Sequence, residues 1–117
     1  MTDWLQYALA KPGAWRDRPF GDELVAKVGP KIFAFLGGSG TGRVTSIGVK
    51  CGDRDAADEW LQRYPEAAGK MAYIGQHGWN TLDATGAIPD DELADALDTS
   101  YELVVAKLPR RIRDQLS

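Results

Sequence analysis

The run RVTSIGVKC, from Arg43 to Cys51, alternates in character. Thr45, Ile47, Val49 and Cys51 fall on one face of an extended chain, and Ser46, Gly48 and Lys50 on the other. Such a segment is a half-buried antiparallel strand, and its apolar side needs a cover. The next residues supply one: Asp53 or Asp55 caps a helix in which Ala56, Ala57, Trp60, Leu61 and Tyr64 share one side, until Pro65 ends it. Lys50 is thereby directed away from the covered face, toward solvent or a groove on the sheet surface.

The rest of the chain fits around this unit. In ELVAKVGPKIFAFLGG two β-rich runs flank Gly29-Pro30, as two strands or one bent strand. KMAYI and WNTLDA read as a further strand pair joined through GQHG. A first helix capped by Thr2 or Asp3 carries Leu5, Ala8 and Leu9 and stops at Pro12-Gly13, with PGAWRDRPFGDE as a connecting loop. A long last helix begins at Pro89, with Asp90, Asp91 and Glu92 at its positive pole and a stripe of Leu93, Leu97, Tyr101, Val104 and Leu108. Pro109 stops it or starts a short helix holding RRIRDQL. The order helix, strands, helix, strands, helix defines an α+β fold with mostly antiparallel strands.

Composition limits the alternatives. A chain of 117 residues that is 44% hydrophobic and 26% charged is expected to form one domain, 1–117, with its own core. A formal charge of -3 and a pI near 5.1 argue against a surface that is basic all over, so any nucleic-acid contact must come from a local patch. Cys51, the one cysteine, allows no internal disulfide and no thiolate metal cage; it is expected as a small core residue in a reducing compartment. With no signal peptide and no run able to span a bilayer, the expected location is the cytoplasm and no membrane partner is expected.

Several segments, in order over almost the whole chain, carry a resemblance: PFG, KIFAFL, GVKC, WNTLDATGAIPDDEL and SYELVVAKLPRR. Together they resemble the MmcQ/YjbR family of small bacterial proteins. The resemblance implies a CyaY-like, frataxin-like architecture, an antiparallel sheet packed by helices. It also implies DNA binding, a role given to the family because the sheet and its hairpins are similar to a double-wing arrangement. Matching positions are Lys31, Lys50, Trp79, Asn80, Ser100, Tyr101 and Lys107; the acidic pI and the glycine-rich GGSGTG, which looks like a lengthened hairpin loop, depart from the pattern.

Two readings compete for the cations Lys107, Arg110, Arg111 and Arg113: complements to the negative pole of a helix, or partners for phosphate. Lys31, Lys50, Trp79 and Asn80 are either an ordinary sheet surface or a groove for a nucleic-acid backbone and an unstacked base, or for a small anion. Packing is the simpler role for Trp79 and for Tyr101. His77, the single histidine, has no nucleophile or carboxylate at a telling spacing, so no catalytic residue is assigned. GGSGTGR precedes a strand and lacks the Lys-Ser/Thr ending of a phosphate loop. Asp91, Asp95 and Asp98 share a helix face, which dipole and solubility explain without a metal. The chain is expected to be a non-enzymatic module, without cofactor or metal, that contacts DNA through Lys31, Lys50, Lys107, Arg110 and Arg111. The alternative is a protein-interaction or small-ligand module with a groove around Trp79, Asn80 and Tyr101.

Overall fold

The computed structural model describes residues 2–19, 23–38 and 43–116. Its elements are α1 (Trp4–Leu9), β1 (Ala14–Asp17), β2 (Leu24–Val28), β3 (Lys31–Gly37), β4 (Ser46–Lys50), α2 (Arg54–Arg63), β5 (Ala68–Lys70), β6 (Trp79–Asp83), α3 (Asp90–Val105) and α4 (Arg110–Asp114). The strands form one antiparallel sheet in the order β1-β2-β3-β4-β6-β5. The α+β order read from the sequence is the order observed. Among the described residues no helix is long and apolar enough to cross a membrane.

The alternation in β4 acts as expected. Ile47 stands between Leu36 of β3 and Leu82 of β6, Val49 between Ala34 and Asn80, and all six residues are buried. α1, α2 and α3 pack on this face: Trp4 and Ala8 come from the first, Ala57 from the second, and Leu93, Leu97 and Val104 from the third. Gly48, Phe35 and Thr81 line the opposite face, where Thr81 is exposed and Phe35 half-buried.

A bulge in β3 determines how α3 docks. The β2–β3 register shifts between Ala26 and Lys27, so Ala26 pairs with Ala34, Lys27 pairs with Ile32, and Phe33 is the extra residue. A bulged residue leaves the ladder and its carbonyl needs another donor. Ser100 of α3 provides it: its hydroxyl donates to the Phe33 carbonyl at 2.6 Å and accepts the Lys50 amide at 2.9 Å. The Phe33 ring meets Tyr101 edge-on, with centroids 5.2 Å apart.

Some elements depart from the sequence expectation. The supposed loop after Pro12 contains β1, an edge strand. β5 ends at Lys70, the first residue of KMAYI, whose Ala72 to Ile74 form a turn, and GQHG is a 3₁₀ turn, Gly75–His77, closed by Gly78 at φ 92°. A side chain at 78 would run into the Gly52 carbonyl, so that position needs glycine on both counts. Cys51 lies half-buried at the edge of the core, and Tyr101 is half-buried with its hydroxyl donating to the Pro12 carbonyl at 2.5 Å. Pro109 starts a separate helix. Phe20 and Gly21 of the PFG segment, and the Ser39–Gly42 part of the glycine-rich loop, lie outside the described residues.

Ser100→Ala should leave two main-chain groups at the α3–sheet junction without partners and lower unfolding free energy by about 2 kcal/mol or more in urea titrations. A loss below about 0.5 kcal/mol would mean that the bridge does not set the docking.

Candidate anion-binding site

The Ser100 bridge brings the end of β4 against α3, and Lys107 follows Ser100 by about two helical turns. Lys50 and Lys107 thereby line one shallow depression of about 360 Å³ with Gly52, Asp53, Arg54, Gln76 and His77. Its one carboxylate, Asp53, already caps α2 by accepting the Ala56 amide at 2.9 Å. Lys50 and Lys107 form no ion pair among the described residues. Two lysines and a histidine thus lie around one depression beside a single carboxylate, which accepts a backbone amide.

Arg54 holds the far wall in place. Its Nη1 donates to the Gly75 carbonyl at 2.5 Å, its Nη2 to Asn80 Oδ1 at 2.8 Å, and its Nε to Asp58 at 2.8 Å. Asn80 completes the link by donating through Nδ2 to the Ala57 carbonyl at 2.8 Å. One guanidinium thus joins the start of α2, the 3₁₀ turn and β6, and so positions Gln76 and His77.

The candidates from the sequence divide into groups. Lys50 and Lys107 meet. Lys31 is exposed at the same end of the sheet, beyond the bulge, and α4 covers that end with Ile112 against Gly29 of the β2–β3 turn. Arg110, Arg111 and Arg113 are exposed on α4. The last turn of α3 holds no basic residue and the three arginines belong to the helix that Pro109 restarts, so the α3 dipole does not account for them. Arg110 reaches Asp114 at 3.9 Å, an exposed pair of little energetic weight.

Trp79, Asn80 and Tyr101 do not form a groove. Asn80 is 0% exposed on the helix-covered face, where Arg54 and Ala57 use its amide. Trp79 points to the opposite face and meets Phe35 edge-on at 5.7 Å, and Tyr101 packs on Phe33. Adjacent residues of a strand face opposite ways, and that parity separates Trp79 from Asn80. Asp98 forms an ion pair with Lys11 and accepts the Tyr7 hydroxyl at 2.8 Å. No group of three or more metal-ligating side chains occurs among the described residues. Sequence reasoning missed Arg54 and Gln76, because neither belongs to a motif and only the tertiary fold brings them here.

The fold and site together define a small α+β domain whose sheet is covered on one face and ends in a cluster of cations. The YjbR family model matches residues 9–103, and the chain belongs to that family. A crystal structure of protein DR2400 from Deinococcus radiodurans, with a DUF419 domain, is similar at a TM-score of 0.83 and 25% identity, over 97% of this chain and 85% of that one. No curated protein matches the chain.

Cys51 borders the site, its amide donating to the Gly78 carbonyl at 2.8 Å. Burial pushes its thiol up to about 11, against smaller opposing effects from Arg54 and Asn80. Against a free thiol near 8.5, native Cys51 should react with maleimide at pH 8 about two orders of magnitude more slowly than the urea-unfolded chain. Since the unfolded thiol ionises first, stability should also fall as pH rises from about 8.5 toward 11. Equal labelling rates in the two states would contradict this placement.

Proposed function

We propose that this chain is a non-enzymatic module that binds the phosphate backbone of DNA weakly through the cationic end of its sheet. The observation that carries the reading is the convergence of Lys50 and Lys107, 57 positions apart in sequence, with His77 around one depression. Lys31, Arg110 and Arg111 at the same end extend the positive surface beyond it. A lysine presents a mobile point charge and an arginine a planar fork, and both suit phosphate oxygens. Such contacts position a backbone and carry no sequence information. On this reading the double-wing analogy and the CyaY-like architecture belong to the same proposal, with the end of the sheet as the contact surface.

The acidic balance of the chain keeps the affinity low. Three to four neutralised phosphates give a log-log salt slope near about -3 and a Kd of about 10⁻⁴ to 10⁻⁶ M near physiological salt. Fluorescence anisotropy with a labelled duplex, titrated across salt concentration, measures both. Lys50→Ala/Lys107→Ala should weaken binding and reduce the slope by about 2. A flat salt response, or no binding at low salt, would refute the proposal.

A further inference from the structure

The open face of the sheet holds a second cavity, of about 460 Å³, lined chiefly by Phe35, Gly48, Met71, Tyr73, Ile74 and Thr81. One continuous stretch of chain runs from it to the cationic depression. The segment from Met71 to Ile74 bounds the apolar cavity, and Gln76 and His77, next in the chain, bound the depression. Arg54 holds the segment at the Gly75 carbonyl between them. Across the strands Lys50 pairs with Trp79 and Gly48 with Thr81, so the β4 positions that line the two sites, Gly48 and Lys50, are two residues apart, about 7 Å. Gly48 is the floor: a side chain there would run into Met71 and meet the Phe35 Cβ at 3.0 Å.

Tyr73 stands at the rim. It is 97% exposed, and it is the one non-glycine residue with a positive φ, 66°, among the described residues. That conformation is costly for an aromatic residue, and the exposed ring gains little packing within the chain in return. An aromatic ring offered to solvent above an apolar cavity, one step from unpaired lysines, matches the arrangement that binds single-stranded nucleic acid: cations for phosphate and rings for bases.

We propose that the apolar cavity takes an unpaired base of a single-stranded nucleic acid, stacked on Tyr73, while the adjoining phosphate sits at Lys50, His77 and Lys107. Glu23, the one carboxylate lining the cavity, disfavours phosphate there and so orients the strand, leaving its oxygens to accept from a base amine. The inference rests on the phosphate reading and adds the base to it.

Anisotropy with a labelled single strand and with a duplex of the same sequence tests it, using wild type, Tyr73→Gly and Lys50→Ala/Lys107→Ala. Glycine suits the backbone at 73, so Tyr73→Gly should unfold at the same or a higher urea concentration than wild type. It should nevertheless lose about tenfold in single-strand affinity with duplex binding unchanged, and wild type should prefer the single strand by about tenfold or more. Tyr73→Gly binding the single strand like wild type, or wild type binding the duplex equally well, would overturn the base site. If the lysine variant still loses binding in that case, the phosphate reading survives alone; if wild type binds neither strand, both fall.

Discussion

The Ser100 hydroxyl is the contact on which the arrangement of the site depends. It is 0% exposed, and a buried hydroxyl in contact with nothing polar would cost free energy that a marginally stable domain cannot spare. Here it donates to a carbonyl released by the β3 bulge and accepts the last amide of β4. Both bonds require α3 to lie at one height over the sheet. Apolar packing by Leu93, Leu97 and Val104 supplies attraction but little register, because dispersion and apolar burial are largely non-directional. The hydrogen bonds supply the register, and with it the meeting of Lys50 and Lys107.

Charge is distributed in a related way. Acidic residues of α3 are used in joining elements: Glu92 forms an ion pair with Arg63 and accepts the Tyr64 hydroxyl at 2.6 Å, tying in α2, and Asp98 ties in the α1 region through Lys11 and Tyr7. Burial alone would raise the Asp98 carboxyl, but the hydrogen bonds from Lys11 and Tyr7 outweigh it and hold the group below its ordinary range. Burial, aided by the bond to Asp98, pushes the Tyr7 phenol up to about 12. These carboxylates serve cohesion, while Lys31, Lys50 and Lys107 form no ion pair among the described residues. In an acidic chain these three lysines thus stay outside the ion pairs that join the elements.

Much of this architecture was legible in the sequence where a period was long enough to read. The two-residue period of β4 set Lys50 apart from Ile47 and Val49, and the stripe on α3 identified its buried side. Asp53 was a readable cap. The edge strand β1 was not, because its four residues Ala-Trp-Arg-Asp show no alternation and lie between Gly13 and Pro19. KMAYI looked like a strand by composition, but Tyr73 takes a left-handed conformation and Arg54 ties down the turn that follows. Asn80 looked like a surface amide, and its burial follows from partners on α2 that no local pattern announces. The site was legible as a set of residue types only. Which cations meet depends on the Ser100 bridge and the Arg54 clamp, and those are tertiary.

The most direct test of the account is a ¹⁵N-¹H NMR titration of the labelled protein with a short DNA duplex at low salt. Amide shifts should concentrate at Lys50, Gly52, Gln76, His77 and Lys107 and extend to Lys31 and the α4 arginines, with Phe35 and Thr81 little changed. Shifts centred on the open sheet face, or on the acidic first turn of α3, would contradict the claim that this docking builds the phosphate site.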